Sequence, residues 1–90
     1  MKSLAEVKRV RFSIKAQPDS EVYVAGTFNS WNPKKHKLRF ANGVHSAYGL
    51  LRPGRHEYKF VINDRWQSDP ECRDWAPDGH GSLNSVIEVN

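Results

Sequence analysis

Cysteine is almost missing from this chain: of 90 residues, only Cys72 is one. No internal disulfide can form, and no cysteine cluster with metal-ligand spacing exists. That usage predicts a reducing, cytoplasmic setting. Long apolar runs are missing too. None approaches the roughly 18 residues that a spanning helix needs, so no membrane helix is expected. The N-terminal MKSLAEVKRV holds basic residues but no apolar stretch, and no secretory signal is expected. No segment of ten or more residues carries an apolar stripe at helical spacing. Charge of one sign is not in strong excess: 14 basic against 10 acidic residues leave +4. This permits nucleic-acid binding without arguing for it. Only Lys34-Lys35-His36-Lys37 forms a basic run, and it reads as a solvated loop.

Catalytic patterns are equally scarce. His36, His45, His56 and His80 are scattered, so no metal or cofactor is expected. His56 shares the apolar face of its strand and reads as packed or at the sheet rim rather than as a base. Cys72 has no activating base beside it. No glycine loop precedes a helix, so a phosphate cradle is excluded. No second acid pairs with Asp69 for glycoside hydrolysis. An enzyme is not expected.

What is there is alternation. A 38% hydrophobic, 27% charged chain is no disordered tail. Ninety residues make one domain, 1–90, hiding roughly 60–65% of the surface its unfolded chain exposes. Strands are predicted over Val7–Ala16, Glu21–Phe28, Lys37–Ala41, Val44–Leu51, Arg55–Ile62, Arg65–Gln67 and Leu83–Val89. Asn42-Gly43 and Asn63-Asp64 supply hairpin turns. Residues 68–81, with two prolines and two glycines, read as irregular loop. The sum is all-β, a sandwich or barrel of about six to eight short antiparallel strands.

Arg55–Ile62 organises the rest. His56, Tyr58, Phe60 and Ile62 share one face; Arg55, Glu57, Lys59 and Val61 share the other. A turn at Asn63-Asp64 sets Val61 opposite Trp66. Lys59 and Trp66 become diagonal neighbours, roughly 7–8 Å apart, on the polar face. An outward indole beside an exposed ammonium is expected there.

Three tryptophans in 90 residues is rich, and at least two avoid the apolar faces. Trp66 points outward, and Trp31 lies between Ser30 and Asn32. Exposed indoles offer a platform for a flat apolar face with a polar rim. Nucleobases and pyranose sugars both fit, but a nucleic acid also needs a basic track. The neighbours that can be placed, Lys59, Gln67, Ser68 and Asn84, suit sugar better.

Three blocks then carry a resemblance: GTFNSWN (26–32), LLRPGRHEYKFVINDRWQSDP (50–70) and GSLNSVIEV (81–89). Together, in order, they resemble carbohydrate-binding module family 48. These are glycogen-binding domains like the N-terminal domains of isoamylases and branching enzymes, and most like the version in the β subunit of AMP-activated protein kinase. The resemblance implies an immunoglobulin-like, early-set β-sandwich. It implies non-catalytic binding of α-1,4-glucans: glycogen, starch, maltooligosaccharides or cyclodextrin. By position it implies that Trp31 and Trp66 stack on glucose. Lys59 and Asn84 then bond hydroxyls, and Ser82 stands where kinase modules carry threonine. His80 stands where kinase modules carry an apolar residue, typically leucine, that enters the curve of the sugar chain. Trp75 receives no role from the resemblance and is expected to cover the sandwich end. The rival expectation is a regulatory or interaction domain of the same fold that packs on a catalytic or kinase-type partner. Neither a nucleic acid nor a membrane is expected as partner.

Overall fold

The computed structural model describes residues 6–90; Met1–Ala5, the start of the N-terminal stretch read above, lie outside the described residues. Every regular element among the described residues is a strand: β1 (Lys8–Ile14), β2 (Val22–Gly26), β3 (His36–Lys37), β4 (Arg39–Ala41), β5 (Val44–Leu51), β6 (Gly54–Ile62), β7 (Arg65–Gln67), β8 (Trp75–Pro77) and β9 (Leu83–Val89). All ladders between them are antiparallel. One sheet has the order β1-β5-β4. The other has the order β3-β2-β6-β9-β8, with β7 also paired to β6. The fold is a small all-β sandwich.

Alternation dictates what is buried. Phe12 and Ile14 of β1 turn inward, while Arg9 and Arg11 stay in solvent. They meet Val22, Val24, Tyr58, Phe60 and Val89 of the larger sheet in one cluster, with Leu51 beside them. The Phe12 ring stacks on Phe28 at 5.3 Å and meets the Tyr58 ring edge-on at 5.0 Å. Burying each such side chain contributes about 1.5–3 kcal/mol.

β6 is the reference strand. On one edge it pairs with β2, Val22 opposite Ile62 through Gly26 opposite Tyr58. On its other edge two strands follow end to end. β9 pairs with Gly54–Tyr58, and β7 with Phe60–Ile62. The expected hairpin register holds, with Val61 opposite Trp66. Asn63 and Asp64 take φ of 49° and 67°, the left-handed pair that a two-residue hairpin turn requires.

Three readings are corrected here. The single strand expected over Lys37–Ala41 is two. β3 pairs with β2, β4 pairs with β5, and buried Leu38 marks where the chain crosses between sheets. Alternation cannot distinguish one strand from two in different layers. Residues 68–81 are also not wholly irregular, because β8 pairs with β9 there. An edge strand of three residues needs one ladder only and tolerates Pro77. Trp75, expected to cover the sandwich end, is 53% exposed on this edge strand.

Candidate functional site

The outward face of the larger sheet is hollowed into an open groove of about 680 Å³. Trp31, Lys59, Trp66, His80 and Asn84 line it, together with Thr27, Glu57 and Asp78. Five of the six residues anticipated from the sequence therefore meet at one place. The sixth, Ser82, is not among the lining residues; its backbone N–H donates to Asp78 Oδ1 at 3.1 Å.

The tryptophans reach the groove from the two sides of β6. Trp66 belongs to β7 and is 48% exposed. Trp31 lies beyond β2, in a loop wound about Gly26. The Gly26 carbonyl accepts from the N–H groups of Asn29 and Trp31, at 3.1 and 2.9 Å. Ser30 and Trp31 are both left-handed, with φ of 57° and 58°. Such a backbone is costly for an aromatic residue and persists where its surroundings fix it. Asn29 fixes it. Its side chain is buried; Oδ1 accepts from Gly26 N–H at 2.9 Å, and Nδ2 donates to the Val24 carbonyl at 3.0 Å and to His36 Nδ1 at 2.9 Å. Gly26 itself admits no side chain. A Cβ there would lie 2.5 Å from the Glu57 carbonyl and 2.6 Å from the Phe28 ring.

The floor of the groove is polar but enclosed. Lys59 and Asn84 are buried, at 9% and 8% exposure. The exposed ammonium expected from the alternation is thus corrected. Lys59 does lie on the outward face, but the 78–82 loop folds over it. Lys59 Nζ donates to Asp78 Oδ2 at 2.7 Å. Asp78 Oδ1 accepts from the backbone N–H groups of His80 and Ser82, at 2.7 and 3.1 Å. The Lys59 ammonium, aided by the His80 and Ser82 N–H groups, holds the Asp78 carboxyl well below the usual carboxylate range. Asp78 is therefore both the counter-ion of Lys59 and the clasp of the loop that presents His80. Nothing in the sequence signals this, since Lys59 and Asp78 are 19 residues apart.

Glu57 supplies the other carboxylate. Its Oε1 accepts from Asn84 Nδ2 at 2.9 Å, and its Oε2 from Arg55 at 3.3 Å. This fixes the Asn84 amide with its oxygen free to accept. At the rim, Thr27 Oγ1 bonds His56 Nδ1 at 3.2 Å, and His56 Nε2 donates to the Arg52 carbonyl at 2.8 Å. His56, half-buried at the rim, is hydrogen-bonded at both ring nitrogens. No cluster of metal-ligating side chains occurs among the described residues. The arrangement offers two indole surfaces about a floor of one ammonium, one amide and two carboxylates. It can stack a flat apolar face and exchange hydrogen bonds with hydroxyls.

Residues 10–90 match the family described as the glycogen recognition site of AMP-activated protein kinase. Among curated proteins, the chain is 35% identical over 69 residues to Protein FLOURY ENDOSPERM 6, chloroplastic, of Oryza sativa subsp. japonica, covering 77% of this chain and 13% of that one. It is 37% identical over 51 residues to Protein PTST homolog 2, chloroplastic, of Arabidopsis thaliana, covering 57% and 10%. It is 33% identical over 69 residues to 5'-AMP-activated protein kinase subunit beta-1 of Sus scrofa, covering 77% and 54%. The matched region thus spans between about a tenth and about half of these relatives' lengths.

Proposed function

We propose, since the chain belongs to the family of glycogen recognition sites of AMP-activated protein kinase, that residues 1–90 form one non-catalytic module that binds α-1,4-glucan chains. Trp31 and Trp66 stack on glucose faces. Lys59 and Asn84 bond hydroxyls from the floor, and Glu57 accepts from them. His80 meets the chain at the rim, on the loop that Ser82 and Asp78 close. One observation carries the reading: two tryptophans from opposite sides of β6 line the same groove, with polar groups between them. Each stacking contact contributes on the order of 1–3 kcal/mol, by analogy with aromatic stacking on bases. Trp31→Ala or Trp66→Ala should therefore weaken binding roughly ten- to hundredfold. The test is a fluorescence titration with maltoheptaose or β-cyclodextrin at low and high salt. A saturable, salt-insensitive change supports the reading. A folded Trp66→Ala protein that binds glycogen like its parent would refute it.

A second reading concerns a protein partner. On the outward face of the smaller sheet, Leu50 is 68% and Tyr48 55% exposed. Arg9 lies opposite Leu50 and Arg11 opposite Tyr48. The Arg9 guanidinium sits 4.1 Å over the Tyr48 ring, which closes one ring face to any stacking base. Tyrosine and arginine about an exposed leucine suit a protein interface. This face lies on the other side of the sandwich from the groove, so a catalytic or kinase-type partner can dock while glucan is bound. An Arg11→Glu, Leu50→Asp variant should lose such a partner and keep its affinity for maltoheptaose; joint loss of both would refute two independent faces.

A further inference from the structure

We propose that the groove selects uncharged glucan and rejects glycans bearing phosphate or sulfate, and that Asp78 and Glu57 set this preference. The inference rests on the glucan reading and narrows it to one charge class of ligand.

A lone lysine at the floor of a concavity is an anion site. Here the ammonium is already matched. Lys59 Nζ contacts Asp78 Oδ2 at 2.7 Å, with both side chains almost enclosed, at 11% and 13% exposure. Enclosure limits screening by salt, so the pairing holds at physiological ionic strength. One N–H of the ammonium is spent on this contact. Two remain, enough to donate to hydroxyl oxygens.

Glu57 tips the balance. It lines the groove with its side chain 27% exposed. Its neighbour Arg55 is 54% exposed and does not line the groove. That guanidinium compensates from the solvent side, where an ion pair is worth little. Among the charged carboxylate and ammonium groups lining the groove, Glu57 and Asp78 stand against Lys59, which leaves one negative charge. A hydroxyl meets carboxylate oxygens as acceptors, and a hydrogen bond to an ionised acceptor is the stronger kind. A phosphate or sulfate ester meets like charge and an ammonium whose charge Asp78 already balances. One unbalanced charge against a phosphate ester carrying nearly two, at roughly 6 Å and the water-like effective dielectric of an open groove, near 80, corresponds to about tenfold in affinity.

The experiment is calorimetric titration of the whole chain at pH 8. The ligands are maltoheptaose, maltoheptaose carrying one 6-phosphate, and maltoheptaose carrying one neutral 6-O-acetyl group as steric control. The parent should prefer the unsubstituted over the phosphorylated ligand by about tenfold, and less at high salt. Asp78→Asn keeps the acceptor oxygen for the His80 and Ser82 N–H groups but frees the Lys59 charge. Glu57→Gln keeps the acceptor for Asn84 but removes the unbalanced charge. Each should cut the preference to about threefold or less, read as a ratio so that any general loss of affinity cancels. Equal parent affinity for neutral and phosphorylated ligands overturns the inference and leaves the glucan reading standing. So does equal rejection of the acetylated ligand, or a preference that survives in both variants. If the parent binds none of the three ligands, the glucan reading itself has failed.

Discussion

Replacing Asn29 with alanine removes three hydrogen bonds at once: from Gly26 N–H at 2.9 Å, to the Val24 carbonyl at 3.0 Å, and to His36 Nδ1 at 2.9 Å. The side chain is buried, with 6% of the residue exposed, so water does not freely replace these partners. At a net of about 1 kcal/mol per bond, the loss is about 3 kcal/mol. For a domain of this size that lowers the melting temperature by roughly 12–24 °C. The second consequence is local. With Asn29 gone, only backbone bonds such as Trp31 N–H to the Gly26 carbonyl at 2.9 Å oppose relaxation of the left-handed Ser30-Trp31 pair, and the Trp31 ring should leave its station at the groove. Affinity for maltoheptaose should fall about ten- to hundredfold, as for loss of the ring itself. Asn29→Asp should not rescue it. It restores the acceptor for Gly26 N–H but loses both donations and sets a carboxylate against the Val24 carbonyl. Thermal melts followed by circular dichroism give the first quantity. A titration well below the variant's melting point gives the second. An alanine variant melting within about 3 °C of its parent and binding like it would refute the clamp.

Other perturbations test neighbouring parts. Gly26→Ala drives a Cβ to 2.5 Å from the Glu57 carbonyl, on backbone that cannot retreat; it should cost about 1–3 kcal/mol or more, read as a lower urea midpoint, and an unchanged midpoint would deny the close approach of β2 to β6. Tyr58→Phe deletes the 2.7 Å bond to Asp69 Oδ2 and should cost about 1.5–3 kcal/mol. Burial, then the Asp69 carboxylate, raises the Tyr58 hydroxyl above the usual phenol range. Its folded form therefore keeps a proton that the unfolded chain loses, and stability should fall as pH rises past about 10 in the parent, with that contribution absent from Tyr58→Phe. Asp78 has the opposite sign. Its lowered carboxyl stabilises the fold above about pH 4 and stops doing so as pH falls further. The stability gap between parent and Asp78→Asn should be constant from about pH 5 to 8 and shrink toward pH 3; a gap unchanged at pH 3 would show that the ion pair contributes nothing.

Much of this was legible in the chain, and the reason is local. The Arg55–Gln67 hairpin could be read because period-two alternation and an Asn-Asp turn fix faces and register together. Placing Lys59 and Trp66 on one face followed from that alone. Trp31 was read as an indole off the apolar faces and Asn84 as a polar neighbour; family resemblance supplied their roles, and both line the groove. The features that escaped reading are those whose cause is distant in sequence. Asp78 looks like one loop aspartate among several until the fold brings it to Lys59. Asn29 looks like a turn residue, yet its partners lie across β2 and β3. Glu57 looks like the polar half of an alternating strand until Asn84 arrives from β9. β8 is defined by its partner rather than by its own residues.

The place of β6 has a consequence for how such a chain can change over time. Glu57 and Lys59 answer to the groove, while Tyr58 and Phe60, interleaved with them, answer to the core. The strand also keeps register with three partners. Drift in this strand therefore endangers folding and binding together. The Trp31 and His80 side chains, which stand outside the core cluster, are under no such double obligation. A descendant that abandons sugar but stays folded should show its first changes there, with β6 the last segment to betray the lost trade.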